Sequence, residues 1–237
     1  MVQAILDGRK TQTRRVVKPQ PLTHGRTDSR VRIYQRGEKW EVADTFSNDG
    51  FSCLDSFKCP YGQPGDVLWV REEHYMFGHW EHDLVSERKT CRQAWMFLPD
   101  SNEVRFFDNP PMACRNTKEK KVKFKQEWNK RLARYMPKAA CRIFLQVKSL
   151  RVERLQDISE NDAVAEGIEP VDSMLYPPHE YGFRFKNYLQ NSNSICLPKA
   201  SFMTLWQSIN GPESWDANPW VWVVEFERIE KPTGWPF

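Results

Sequence analysis

Residues 220–230 read WVWVVEFERIE. Trp220, Trp222, Val224 and Phe226 recur with the period of two that a strand imposes, and side chains of that size on one face belong against a core. The segment Trp215, Asp216, Ala217, Asn218, Pro219 leads into it. A second tract of the same kind, RIFLQVKSLRVE at 142–153, alternates with Ile143, Leu145 and Val147 on one face. These two strands anchor the reading of the chain.

Between them lies a helix whose ends are both written in sequence. Ser159 and Asp162 form an S-x-x-D capping box, Ile158 sits just outside, and Gly167 follows Glu166 as the C-cap. Glu166 therefore stands on the last turn, where free carbonyls disfavour a negative charge. Such a place raises a carboxyl pKa and suits a general acid or base, the alternative being an ordinary exposed Glu at a fraying end. Phe202, Leu205, Trp206 and Ile209 mark the apolar face of a second helix stopped by Gly211 and Pro212. Residues 170–198, with Tyr176, Pro177, Pro178, His179, Tyr181, Phe183 and Phe185, read as a loop long enough for a lid or a binding surface.

At the other end, Val2, Ile5 and Leu6 have helical spacing and Gly8 stops the helix. The tract Gly8, Arg9, Lys10, Thr11, Gln12, Thr13, Arg14, Arg15 follows, extended to Val17 and closed by Pro19. Its density of cations and hydroxyls suits chemistry, a phosphate grip or a solvated turn. In a regular strand Thr11, Thr13 and Arg15 share one face and Lys10 the other, so Lys10 and Thr13 converge only if the chain turns between them. Residues 20–30 read as loop, residues 31–43 as a hairpin around Arg36, Gly37 and Glu38, and residues 44–58 as irregular. A turn at 61–66 feeds the strand Val67, Leu68, Trp69, Val70, Arg71, Glu72, which ends either at a site or in a surface ion pair. From His74 to about Met136 the pattern degrades, and residues 75–135 read as an insertion on a single domain spanning 1–237. Within it Lys118, Lys120, Lys121, Lys123 and Lys125 interleave with Val122 and Phe124, as in a nucleic-acid track with a stacking ring, or as in a solvated edge.

Composition describes a globular chain: 40% hydrophobic, 28% charged, 10 Trp and 14 Phe, with a mean hydropathy of -0.71. No apolar run approaches membrane length, and MVQAILDG is too short and lacks the basic flank of a signal peptide, so a cytoplasmic protein is expected. Cys53, Cys59, Cys91, Cys114, Cys141 and Cys196 have no metal-knuckle spacing and read as reduced thiols. Neither a metal nor a cofactor is expected. The net charge of +4 is unevenly spread. Residues 1–37 carry nine Lys or Arg against two acids, residues 118–142 carry ten against two, and residues 151–173 carry seven acids against two Arg. Two basic blocks suggest a polyanion-facing side if the fold joins them.

GRKTQTRR after a short helix, PGDVLWVRE, RVERLQDISENDAVAEGI and SWDANPWVWVVEFERI, in this order, resemble the ASCH domain family, especially its phage and prophage members. The resemblance covers most of the chain outside roughly residues 75–135. It implies an α+β, PUA-like small mixed β-barrel with helices at its mouth and a large insertion, a fold proposed to bind RNA. Relatives carry a further short strand before the first helix, whereas this sequence opens on the helix at Met1, so the expectation is either a barrel without that strand or an internal start. Some small bacterial members are amidohydrolases of N4-acetylcytidine. By resemblance Thr13 is the nucleophile, Lys10 deprotonates it or holds the oxyanion, and Glu166 carries the proton to the leaving amine. Arg9, Thr11, Arg15, Trp69, Arg71 and Glu72 are the expected substrate contacts, and Arg14, Lys18, Lys120, Lys121, Lys123 and Lys125 the expected nucleic-acid contacts. The expected activity is binding of RNA, DNA or a nucleotide, with no membrane partner. The alternatives are amide hydrolysis on a modified nucleoside, phosphodiester cleavage, or a phage factor that contacts protein.

Overall fold

The structure, a computed structural model, describes residues 2–22, 31–44, 52–82, 95–116, 118–171, 184–190 and 194–235. In chain order its elements are α1 (Val2–Leu6), β1 (Gln12–Val16), β2 (Val31–Arg36), β3 (Lys39–Asp44), β4 (Ser52–Lys58), β5 (Val67–Trp69), β6 (His74–His82), β7 (Trp95–Arg105), β8 (Glu127–Arg131), β9 (Phe144–Arg154), α2 (Glu160–Ala165), β10 (Pro170–Val171), β11 (Arg184–Lys186), β12 (Ser194–Ile195), α3 (Pro198–Asn210) and β13 (Trp220–Ile229). They fall into two compact units, one of residues 1–68 and 144–230, the other of residues 69–143 and 231–237. The architecture is mixed and strand-rich with few helices, and no sheet closes on itself among the described residues.

The first unit is built on β13. It pairs antiparallel with β1 on one side and β9 on the other, in a sheet of order β1-β13-β9-β5. Every side chain from Trp220 to Val224 is buried, so both faces of the strand are covered. On one face Val221 and Val223 pack with Leu155, Ile158, Ala163, Phe202, Leu205 and Trp206, which come from α2, α3 and the turn before α2. On the other, Trp222 meets Trp40 of β3 edge-on at 5.3 Å and Phe57 of β4 at 5.4 Å. Each such ring pair contributes about 0.5–1.5 kcal/mol beyond the area it buries. The run WVWVV, with no polar residue between its large ones, is the signature of a strand sandwiched between layers.

β4 corrects one expectation: residues 52–58 are not irregular but form the third strand of the β2-β3-β4 sheet. Its sequence SCLDSFK has weak strand character, and its conformation is imposed by pairing with β3. The bulge between Val42 and Ala43 further blurs the alternation.

The second unit carries an antiparallel sheet of order β7-β6-β8 where sequence patterning degrades. Its strands are half-buried and polar because arginine stems supply much of the apolar cover. The Arg131 guanidinium lies 4.3 Å from the Phe97 ring centre and that of Arg105 lies 4.7 Å from Trp128. A hydropathy pattern scores those arginines as surface. No helix among the described residues is long and apolar enough to cross a membrane.

Candidate functional site

Backbone pairing brings the two ends of the site together. Lys10 N–H donates to the Ala4 carbonyl at 2.9 Å and Thr11 N–H to that of Ala165 at 2.9 Å, while the Thr11 carbonyl accepts from Phe226 N–H at 2.8 Å. Lys10 and Glu166 form a single antiparallel bridge, and β1 begins only at Gln12. The alternation already runs through Lys10, which is buried like Gln12 and Arg14 while Thr11 is exposed, so Lys10 shares the Arg14 face and not that of Thr13, and Lys10 and Thr13 meet only through Glu166. From Gln12 onward the period of two holds, with Gln12 and Arg14 buried, Thr13 half-buried and Arg15 exposed.

Glu166 owes its place to the caps of α2. Ser159 Oγ accepts from Asp162 N–H at 3.1 Å at the start, and Glu166 is the C-cap at the end. Gly167 follows with φ 81, and a Cβ there would lie 2.7 Å from Lys10 Cβ and 3.0 Å from Ala4 Cβ. Only glycine takes that conformation without strain and lets the Lys10 backbone come so close.

The side chains form a buried ionic network. Lys10 Nζ donates to Glu166 Oε2 at 2.7 Å and to the Glu166 carbonyl at 2.8 Å, and both residues are at most 5% exposed. Arg14 reaches Glu166 Oε1 at 3.3 Å, Glu153 Oε1 at 2.5 Å and Asp162 Oδ2 at 3.4 Å, with its guanidinium 5.9 Å from the Phe202 ring centre. Arg151 closes the network through Glu153, Asp162 and Glu225. Burial pushes the Lys10 amine below the ordinary lysine value; the Glu166 carboxylate opposes this, and Arg15 and Arg14 add to it. Burial also acts to raise Asp162, but its bond with Ser159 and the charges of Arg151 and Arg14 outweigh that and leave it lowered.

Beside this network is a cavity of about 70 Å³ whose walls include Thr13, Arg14, Glu166, Phe202 and Trp206. That is the volume of about two waters. Glu166 is the shared member, touching Lys10 on one side and the Thr13 cavity on the other; Lys10 stands behind it. Arg14 Nε, buried, has no hydrogen-bond partner among the described residues.

The other expected contacts are dispersed. Arg9 pairs with Asp7 at 3.1 Å and borders a separate cavity of about 400 Å³ with Glu169 and Tyr188. Thr11, Arg15 and Lys18 are exposed, whereas Arg14, expected to face nucleic acid, is buried among carboxylates because Glu153 and Asp162 reach it. Trp69, Arg71 and Glu72 belong to the second unit. There the Arg71 guanidinium lies 4.7 Å from the Trp69 ring centre, and buried Glu72 pairs not with Arg71 but bidentately with Arg142, at 3.0 and 2.9 Å. Lys120 is exposed, Lys123 Nζ sits 4.6 Å from the Phe124 ring centre, Lys125 pairs with Glu127 at 2.7 Å, and Lys121 Nζ lies 4.1 Å from the Trp80 ring centre. The lid residues Tyr176 to Phe183 lie outside the described residues, while Phe185 is buried in the first unit's core.

Sequence reasoning missed Glu153, Asp162 and Arg151 as site residues. The signal was present in the acidic segment 151–173, which supplies the counter-charges of the first basic block. Among the described residues no group of three or more His, Cys, Asp or Glu is placed to hold a metal ion. Compared with known proteins, the chain matches no family model, no curated sequence and no solved structure.

Proposed function

We propose that the first unit is an ASCH-type module directed at nucleic acid or its nucleosides, and that Thr13, Lys10 and Glu166 hydrolyse an exocyclic amide of the N4-acetylcytidine kind. The observation that carries this reading is the buried Lys10–Glu166 pair at 2.7 Å, with Glu166 and Thr13 on the wall of one cavity. The motif's order in sequence, read by resemblance, supports it. On this reading the unit's sheets are the walls of a PUA-like barrel, and α1 and α2 stand at its mouth. The cavity suits an acetyl group, with the base at the opening.

The chemistry balances with one travelling proton. Thr13 Oγ attacks the acetyl carbon as its proton passes to Glu166; Glu166 returns it to the exocyclic nitrogen, the C–N bond breaks and the amine leaves. Water then gives a proton to Glu166 and its oxygen to the acyl carbon, the ester bond breaks, and Thr13 recovers its proton. Lys10 holds the carboxylate in place throughout and, with Arg14, offsets its charge.

A second reading, binding without turnover, is favoured by Arg15 and Lys18, exposed cations at and just beyond the end of the tract. One experiment separates the two. Purified protein is incubated with acylated nucleosides and with RNA carrying them, and products are read by mass spectrometry. Release of the free amine, reduced about 10²- to 10⁴-fold by Thr13→Ala and by Glu166→Gln, is the expected result. No product from the wild-type chain, with RNA affinity intact in both variants, overturns the catalytic reading in favour of binding.

A further inference from the structure

The second unit contains a pocket of about 190 Å³, room for about six waters, that the Thr13 site does not use. Its walls include Trp80, Tyr135, Arg115, Lys121, Lys130 and Arg131, with Glu119 as the one acid. The frame is rigidly made. Asn129, buried in β8, accepts from the Trp80 indole N–H at 2.7 Å and donates to the carbonyls of Gly78 and Glu127. Arg115 is laid alongside β8 by a parallel bridge, its N–H donating to Trp128 at 2.7 Å and its carbonyl accepting from Lys130 at 2.9 Å.

The cations on this frame are under-compensated. Arg115 is 6% exposed, its Nε lies 3.5 Å from a Glu127 carboxylate that Lys125 also holds, and its buried Nη1 has no hydrogen-bond partner among the described residues. Lys121 and Arg131 lie over the Trp80 ring at 4.1 and 5.0 Å, and Arg131 also stacks on Phe97 at 4.3 Å and Tyr135 at 4.8 Å. Neither has an ion-pair carboxylate among the described residues. Lys130 alone is well matched, by Glu73 at 2.7 Å. Burial lowers the Lys121 amine, and the charges of Arg131 and Arg115 lower it further, as three positive groups crowding one space should.

A pocket walled by Arg115, Lys121, Lys130 and Arg131 with Glu119 as its one acid carries an uncompensated positive charge that an anion relieves. We infer that this pocket binds the phosphate group of a nucleotide, free or within a strand, with Lys121 and Arg131 as its donors and the buried Arg115 guanidinium adding positive charge behind them. Guanidinium forks and an ammonium match phosphate oxygens. The pocket exceeds what one phosphate fills, and Tyr135, more than half exposed at its edge, offers a ring on which a base stacks.

Calorimetric titration of the full chain with inorganic phosphate, a nucleoside 5′-monophosphate and a short single-stranded oligonucleotide tests this. Binding that weakens about tenfold in Lys121→Gln and in Arg115→Gln, with a salt slope reduced by about one per cation removed, is expected. Tighter binding of the mononucleotide than of the oligonucleotide identifies a free nucleotide as the ligand, and the reverse order a strand. Lys121 has no ion-pair carboxylate to strand among the described residues, so Lys121→Gln decides the matter if Arg115→Gln fails to fold. The inference is overturned if none of the three probes binds the wild-type chain, or if they bind Lys121→Gln as tightly. Thr13→Ala leaves this binding unchanged, so the two proposals fail separately.

Discussion

The two basic tracts look alike in sequence and end in opposite electrostatic states. In the first unit Lys10 and Arg14 turn inward and are met by Glu166, Glu153 and Asp162. In the second, Lys121 and Arg131 rest on aromatic faces, and Arg115 keeps a donor without a partner among the described residues. The difference is set by where carboxylates arrive from. The acids from Glu153 to Glu166 run along β9 and α2 beside the first tract, while in the second unit Glu127, Glu73 and Glu72 take up Lys125, Lys130 and Arg142 and leave Lys121 and Arg131 to aromatic rings. Buried cations met by carboxylates have their charge offset within the fold, whereas cations over rings are supported without a counter-ion.

The sharpest way to break that contrast is to remove one cation from each. Arg14→Met leaves Glu153, Asp162 and Glu166 without their shared partner, and the loss of one member of a buried ionic network costs about 3–5 kcal/mol. Lys121→Gln removes a charge repelled by its neighbours and changes stability by no more than about 0.5 kcal/mol. Urea denaturation of the two variants measures both. Equal shifts of the midpoint would mean that the two tracts do the same work, and the comparison would fall.

How much of this was legible depends on whether the information is local. The caps of α2, the Gly167 stop and the strands β9 and β13 are written within a few residues of where they act, and they read correctly. Nothing near Trp222 states that Trp40 and Phe57 cover it, so the burial of both faces of β13 emerges only from packing. β4 is a strand because β3 pairs with it. Glu72 sits beside Arg71 in sequence, yet its bidentate partner is Arg142, a choice made by the fold. The position of Glu166 at the end of α2 was legible from the helix caps, but the acids that neutralise Arg14 were visible only as an acidic stretch without an address.

A smaller change tests how the first tract is held. Gly167→Ala forces a left-handed residue to carry a Cβ, at about 1–3 kcal/mol, and drives that Cβ against Lys10 at 2.7 Å. Gly37→Ala has a similar φ of 62 and no atom within 4 Å, so it bears the conformational cost alone. The excess destabilisation of Gly167→Ala over Gly37→Ala reads out the close approach of Lys10. Turnover in the proposed reaction falls only in the former, because only there is the Lys10–Glu166 contact displaced. Matching effects on both counts would show that the glycine matters for its backbone and not for the site.

The smallest expected effect is a slope with pH. The folded chain holds the Lys10 amine below its ordinary value, chiefly by burial, with Glu166 opposing and Arg15 and Arg14 assisting. Between that lowered value and about 10.4, where an unfolded lysine titrates, the unfolded chain binds the proton more tightly. Stability therefore rises with pH across that window, and the contribution is lost as pH falls through the folded value. Its slope cannot exceed about 1.4 kcal/mol per pH unit for one group. The clean measurement is the difference between wild type and Lys10→Met in urea midpoints taken across the window, since every other titrating group is common to both. A difference that grows with pH in favour of the wild type sharpens the picture of a lysine buried at some electrostatic cost. A difference that shrinks with pH would mean that Glu166 outweighs burial and that Lys10 is first of all the carboxylate's counter-ion.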